Sequence, residues 1–324
     1  MFMRVLVTGR GSIAQRHVRL LRELVPALEL AIISSNGEVD AMFLPCTVLG
    51  DMRLGMGWKP DAVVIASISI QHAEELTVCL QAGIPCLVEK PLVTDKEQLA
   101  SLRALLRQTA SPPAVVVGCN LRYLPALQKL RAEFTRTVAS TVIRASLEVG
   151  HDLLQWRPSR EVQTTYSAIA SLGGGVIFDL VHEIDMARWL LGPLQVHGAI
   201  GGHLSALPIQ ADDVHMALLK MANGAPVVVS LDYVSQQPVR KYVLVTGMGT
   251  FVVDLIEKRI TLLTRDEIRV IAAAADDFAI AKTYRFQMTD WLAAIENPAH
   301  QVKSSLEDAL VTSELMLGMQ DAMT

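Results

Sequence analysis

The sequence predicts an α/β protein in two parts, an N-terminal doubly wound parallel sheet and a C-terminal α+β domain with a large, mostly antiparallel open sheet. Three observations carry this reading. Up to about residue 118, short apolar runs alternate with helix-length amphipathic segments, the pattern of βαβ units. From Val196 to Leu263 strand-like segments follow one another with only turns between them, which needs antiparallel pairing. The 324 residues, 35.3 kDa, also exceed what one hydrophobic core usually organises. The boundary is placed at residue 120, giving domains of residues 1–120 and 121–324.

Taken in order, Arg4 to Thr8 is β-rich and runs into glycines, and Ser12 to Leu24 carries helical spacing through Ile13, His17, Leu20, Leu21 and Leu24. Leu28 to Ile33 is a second strand, closed by the turn Ser34-Ser35-Asn36-Gly37. Asp61 to Ala66 reads as a strand buried on both faces of a parallel sheet. A helix from Gln71 to Ala82 ends at Gly83, Ile84 to Val88 is a strand, and Thr94 caps a helix to Leu106 with Glu97 three residues on. Ala114 to Val117 closes the first part. The second part opens with a helix from Leu124 to Phe134 and a strand from Thr141 to Val149. After an irregular stretch, Gly173-Gly174-Gly175 starts one long helix to about Leu191. Strands follow at Val214–Met221, Val227–Tyr233, Lys241–Val245, Thr250–Leu255 and Arg259–Leu263, with Asn223-Gly224 as a hairpin turn. Two helices, near Thr283–Glu296 and Ser305–Met319, finish the chain and are placed to pack back on the first domain.

Composition narrows the classes. Hydrophobic residues make up 51% and charged residues 19%, with a mean hydropathy of +0.34, too apolar for a disordered chain. The longest apolar stretches, such as Ala62–Ala66 and Ile271–Ala275, fall far short of a bilayer span, so no membrane partner is expected. A net charge of −4 and a pI near 6.1 give phosphate backbones nothing to hold, so no nucleic acid is expected either. The apolar N-terminus is too short for a signal peptide, being broken at Gly9-Arg10. Cys46, Cys79, Cys86 and Cys119 form no C-x-x-C pair and read as reduced thiols of a cytoplasmic protein.

Three motifs carry chemistry. Gly9-Arg10-Gly11-Ser12-Ile13-Ala14 is the G-x-G-x-x-A dinucleotide fingerprint between a strand and a helix. Gly9 allows the tight turn, Gly11 the approach of a pyrophosphate, and Ala14 close helix–strand packing. Another nucleotide on the same kind of glycine turn is the alternative. The second strand ends in Ser34-Ser35-Asn36 with no acid before Glu38, and Arg10 or Arg16 could supply charge, which tilts the cofactor from NAD towards NADP. Glu89-Lys90-Pro91 follows a sheet strand directly, so Lys90 sits where ligands of open α/β sheets bind. Pro91 keeps Lys90 out of the helical region, and the bond between them is a candidate for the cis form; a surface lysine is the plainer reading. In the third motif, Asp179 and His182 share a helix face, with Glu183 also in reach of Asp179. A carboxylate that orients an imidazole suits general acid/base work; a helix cap beside a satisfied histidine is the alternative. The other histidines lack ligand spacing, so no metal is expected.

Together these motifs resemble the Gfo/Idh/MocA oxidoreductases, named for glucose–fructose oxidoreductase and inositol dehydrogenase. Asn120-Leu121-Arg122-Tyr123 and the closing Ser305-Leu306-Glu307-Asp308-Ala309 segment extend the resemblance over essentially the whole chain. It implies a Rossmann domain, followed by an α/β domain whose open sheet commonly makes oligomer contacts. It implies that Lys90 is the catalytic lysine, that Asp179 and His182 are the acid/base pair, and that Glu89 lies beside the cofactor. Ser67-Ile68 and His72 resemble the loop along the cofactor, without the proline usual there. The family's commoner pattern puts the histidine four residues after the aspartate. Here the interval is three, which on a regular helix turns the ring by about 100°. Asp179-Leu180-Val181-His182-Glu183 resembles a branch associated with surface-polysaccharide and sugar-nucleotide pathways.

The function implied is NAD(P)-dependent hydride transfer between a nicotinamide and a carbinol carbon of a sugar, cyclitol or sugar derivative. Candidate substrate contacts in the second domain are Asn120, Arg122, Tyr123, Trp156, Arg157, Tyr166 and Tyr284, any of which could instead pack core. A non-catalytic dinucleotide-binding sensor or scaffold is the alternative, favoured by the shifted histidine; a Rossmann methyltransferase or epimerase fits Glu89-Lys90-Pro91 poorly. The apolar surplus is expected to cover the parallel sheet and to bury one face of the second sheet in a homo-oligomer, a dimer or tetramer.

Overall fold

A computed structural model describes residues 2–137, 142–156 and 161–323. The chain divides into two compact units, Met1–Asn120 with Ala281–Leu310, and Leu121–Ile280 with Val311–Thr324.

The first unit is built on strands β1 (Phe2–Thr8), β2 (Ala27–Ile33), β3 (Thr47–Leu49), β4 (Ala62–Ile65), β5 (Cys86–Val88) and β6 (Val115–Val117). All pair in parallel, in the order β3-β2-β1-β4-β5-β6. Helices α1 (Ser12–Leu24), α2 (Met52–Gly57), α3 (His72–Gln81) and α4 (Lys96–Gln108) are the crossovers. The doubly wound expectation holds, and its physical basis is visible in β4, whose four residues are all buried. Val5, Val7, Leu21, Val64, Leu87 and Val116 form one core with Met288 and Trp291 of a late helix, α9 (Ile280–Glu296 in chain order). The strand order reverses between β1 and β4, which opens a crevice at their carboxyl ends. The α4 cap differs from expectation. Asp95, not Thr94, accepts from the Gln98 amide, and the Gln98 side chain accepts from the Thr94 amide, so the cap lies one residue later than Thr94–Glu97.

The second unit starts with α5 (Pro125–Thr137), β7 (Val142–Gly150) and α6 (Leu153–Trp156), then α7 (Val176–Asp179) and α8 (Val181–Leu191). Strands β8 (Leu194–Gly202), β9 (Val214–Met221), β10 (Pro226–Asp232), β11 (Val239–Thr246), β12 (Gly249–Asp254), β13 (Arg259–Leu263) and β14 (Ile268–Ala272) complete it. Helix α10 (Leu306–Asp321) belongs to the first unit up to Leu310 and to the second from Val311. The sheet order is β14-β13-β12-β11-β7-β10-β9-β8. Pairing is antiparallel except between β7 and β10, because β7, first in sequence, inserts into the middle of the later meander. Alternation sets the faces: His215, Ala217, Leu219 and Met221 are buried, Met216, Leu218 and Lys220 exposed.

Among the described residues, β8 falls in the strand-rich span read from Val196 without a range of its own, and two further strands, β3 and β14, escaped the sequence reading. β3 has three residues, and β14 is an edge strand with Ile268, Arg269 and Val270 exposed, so neither shows a burial period. The long helix expected from Gly173 is broken. Gly175 takes φ +119° and Leu180 leaves the helical region at φ −96°, ψ 23°, which ends α7 at Asp179 and starts α8 anew at Val181.

Candidate active site

In the first unit, Gly9 adopts φ +81°, and a Cβ there would lie 2.1 Å from the Ala66 carbonyl oxygen; only glycine lets the end of β1 close against β4. Gly11 caps α1 without a side-chain acceptor, the first turn carries no acid, and a Cβ at Gly11 would meet nothing within 4 Å. The amides at the start of α1, from Ser12 and Ile13 onward, therefore front an open cradle with no acid on the helix's own first turn, which fits the diphosphate of a dinucleotide.

At the end of β2, Ser34 is buried while Ser35 and Asn36 are exposed. Arg10 donates to the Asn36 side-chain oxygen (3.0 Å) and the Glu38 carbonyl (2.5 Å), and Asn36 donates to the Glu38 carboxylate (3.0 Å). Arg10 thus lies over the Ser34–Glu38 turn, where an adenosine ribose is read. Arg16 is held elsewhere, its guanidinium 4.2 Å above the Tyr284 ring.

Beyond β4, Ser67 and Ile68 are half-buried at the crevice. His72 is buried instead of facing it: one ring nitrogen lies 2.7 Å from the Pro91 carbonyl oxygen and the other 3.1 Å from that of Ser67. Burial pulls the His72 pKa down, against both carbonyls and Glu89. His72 is thereby a strut between the segments after β4 and β5, along the loop that the resemblance sets beside the cofactor.

Beyond β5, the bond from half-buried Lys90 to Pro91 is cis. Glu89 is buried, 2.7 Å from Nε2 of the buried His17. Burial alone would raise the Glu89 pKa, but His17, Lys90 and His72 hold it below the usual carboxylate range. Tyr284 joins this cluster, edge-on to His17 at 6.4 Å, its pKa raised by burial and by Glu89. Asn120 is buried and donates to Thr283 (2.9 Å). Both Asn120 and Tyr284 belong to the first unit.

In the second unit, both oxygens of the buried Asp179 accept phenols, from Tyr166 at 2.6 Å and Tyr233 at 2.9 Å. His182 is half-buried in the first turn of α8, past the break at Leu180, so the rotation expected on a regular helix does not apply. Glu183 is fully buried and held by Arg240 through two bonds (2.6 and 3.0 Å) and by the Tyr242 hydroxyl (2.8 Å). The Tyr242 pKa is raised by burial and then by Glu183; for Arg240, burial is outweighed by Glu183 and the pKa rises. His151 follows β7, with Arg240, Asp179, Asp232 and Asp152 acting on its charge; burial, then Arg240, lowers its pKa.

Arg122 is fully buried, its guanidinium in a two-point pair with Asp185 (2.8 and 2.7 Å), and Tyr123 is buried beside it in sequence. Both side chains are buried at positions the sequence offered as substrate contacts. Trp156 ends α6, and its side chain, like the whole of Arg157, lies outside the described residues. Among the described residues, no group of three His, Cys, Asp or Glu is arranged to hold a metal. Sequence reasoning missed Tyr233, Arg240 and Tyr242 because their partners, Asp179 on α7 and Glu183 on α8, lie 54 to 59 residues away in sequence and meet them only through tertiary packing.

A glycine cradle on a 3-2-1-4-5-6 parallel sheet defines a dinucleotide-binding protein. Residues 3–118 match the oxidoreductase family with an NAD-binding Rossmann fold, and residues 136–252 match the GFO/IDH/MocA C-terminal domain. The chain belongs to the Gfo/Idh/MocA oxidoreductase family. An inositol 2-dehydrogenase of Saccharopolyspora erythraea is 30% identical over 199 residues, covering 59% of this chain and 55% of the relative, so the match spans little more than half of that protein's length. Among solved structures, a levoglucosan dehydrogenase in complex with NADH superposes with a TM-score of 0.84 at 17% identity, covering 99% of this chain and 97% of the other. A UDP-N-acetylglucosamine 3-dehydrogenase from Acidithiobacillus ferrooxidans does so at 0.77 and 19%, covering 100% and 98%. At such identities these structures speak for the fold.

Proposed function

We propose that this protein is an NAD(P)-dependent dehydrogenase that transfers a hydride between a nicotinamide and a carbinol carbon of a sugar, cyclitol or sugar derivative. The observation that carries the reading is the crevice of the first unit, where the Gly9–Gly11 cradle and Glu89-Lys90 stand at carboxyl ends of one parallel sheet. The named relatives act on an inositol, an anhydrosugar and a sugar nucleotide, which supports a polyhydroxylated substrate.

When bound, the nicotinamide supplies the hydride acceptor or donor. Gly9, Gly11, Ser12 and Ile13 hold the diphosphate, and Ser67 and Ile68 line its path. Lys90 donates a hydrogen bond to the reacting oxygen and stabilises the charge that develops there. His182 takes the hydroxyl proton, Asp179 is the carboxylate that supports it, and Tyr166 is the phenol most open to a substrate among those on Asp179. Arg10, with Ser34, Ser35 and Asn36, favours the 2′-phosphate of NADP over the NAD ribose.

The exposed Ile200, Met216 and Leu218 on β8 and β9 support a homo-oligomer formed through that sheet face. The four free thiols support a cytoplasmic setting, and among the described residues no helix is long and apolar enough to cross a membrane. The function is tested with Lys90→Met. Turnover of a responsive polyol should fall by about 1,000-fold or more while the Kd for reduced cofactor stays within about threefold. Unchanged turnover would remove Lys90 from the chemistry.

A further inference from the structure

Helix α3 begins at the crevice, and its first turn carries a carboxylate that the mechanism above does not use. Glu75 Oε2 accepts the Thr8 hydroxyl at 2.7 Å and the Ser67 hydroxyl at 2.8 Å. Thr8 is the last residue of β1, directly before Gly9, and its own hydroxyl oxygen accepts from the Ala66 amide at 3.3 Å. Ser67 stands just past β4, and its carbonyl is the one His72 touches. One carboxylate oxygen therefore ties the ends of the two strands between which the sheet order reverses. The other, Oε1, makes no hydrogen bond among the described residues.

The position is electrostatically awkward for a bound dinucleotide. Gly9 and Gly11 bring the diphosphate to the residues that follow Thr8, whose hydroxyl Glu75 accepts, so two anions approach one another at the crevice. The charged group acting on Glu75 is Glu74 of its own helix, of like sign. The end of β1 presents the Thr8 hydroxyl, and the segment after β4 the Ser67 hydroxyl. His72 precedes it on the helix and bonds the Ser67 and Pro91 carbonyls. Burial pushes the Glu75 pKa above the ordinary carboxylate range, against the two hydroxyls.

We propose that Glu75 is a proton-coupled positioning residue of the cofactor site: it fixes the Thr8 and Ser67 hydroxyls and takes up one proton from solvent when a nicotinamide dinucleotide binds. The proton goes to Oε1, no bond other than that O–H forms, and the carboxyl becomes neutral while Oε2 keeps both hydroxyls. Repulsion between Glu75 and the diphosphate is removed. The inference rests on the cofactor reading above.

The test is calorimetric titration of the full chain with NADH and with NADPH, in PIPES and in imidazole at one pH, repeated across neutral pH. The wild type should show proton uptake, as a buffer-dependent heat, and a Kd that weakens with rising pH, by up to about tenfold per unit. Glu75→Gln keeps an oxygen for the hydroxyls; it should bind without that uptake, with a Kd nearly flat in pH. The same uptake and pH slope in both proteins would overturn the role of Glu75 and leave the cofactor reading intact. A wild type that binds neither NADH nor NADPH would overturn the cofactor reading, and this inference with it.

Discussion

Tyr233 donates its phenolic hydrogen to Oδ2 of Asp179 at 2.9 Å, from the residue that follows β10 to the last residue of α7. With Tyr166 on Oδ1, the carboxylate is held at both oxygens before any substrate arrives. Hydrogen bonds to a carboxylate stabilise its charged form. Tyr233→Phe keeps the ring and removes one such bond, so kcat should fall by about 10- to 100-fold, in line with a hydrogen bond to a charged group. The acid limb of the pH–rate profile should move to higher pH. A slower enzyme with an unmoved profile would mean that Tyr233 serves packing alone.

Arg122 and Asp185 are both fully buried and paired, with Thr312 also donating to Asp185 at 3.0 Å. Removing one partner strands a buried charge, so Arg122→Met should destabilise by about 3–5 kcal/mol, and adding Asp185→Leu should recover much of that loss. In chemical denaturation the single variant falls and the double rises, while kcat/KM per folded molecule stays within about threefold. A selective rise in KM for Arg122→Met would restore Arg122 as a substrate contact.

At the end of β2, Arg10→Ala should lower kcat/KM for NADPH by about 10- to 100-fold and leave the NADH value within about threefold. Equal losses with the two cofactors would make Arg10 a brace for the Ser34–Glu38 turn and nothing more.

The buried His215 on β9 has its pKa lowered by burial from 6.5 to about 4. Between those values the unfolded chain binds the proton and the folded protein does not. Stability is therefore complete above pH 6.5 and falls as the pH drops towards 4, by on the order of 2 kcal/mol. Glu89 acts in a lower window, its depressed pKa withdrawing stability only below about 4.5. His215→Leu should reduce the fall of the denaturation midpoint between pH 6.5 and 4.5, leaving the part contributed by His72 and His151, whose pKa values burial also lowers; an unchanged slope would assign the loss to other groups.

Legibility followed the range of the interactions. The glycine cradle and the β1–α1–β2 order were plain in the sequence because strand period, turn and helix spacing are local. Lys90 and Asp179 stood out through motif and neighbourhood. The helix break at Leu180 did not, since Asp179-Leu180-Val181-His182 keeps a helical apolar pattern while Gly175 and the sheet below set the path. His72 read as part of the loop along the cofactor, and nothing local to the sequence singled out Glu75 on the same helix. Only the parallel register that brings Thr8, Ser67 and Pro91 to the same helix turn gives them partners. Arg122 looked open to substrate because its partner, Asp185, lies 63 residues on.

The central claim is hydride transfer from a carbinol carbon, and isotope transfer tests it most directly. The wild type is offered NAD and NADP with cyclitols, free sugars and sugar nucleotides, and any responsive substrate is then used with deuterium at its reacting carbon. Mass spectrometry of the reduced nicotinamide should find the deuterium there, with Lys90→Met all but inactive. Cofactor binding without turnover across the panel would contradict the account and leave a dinucleotide-binding sensor in its place.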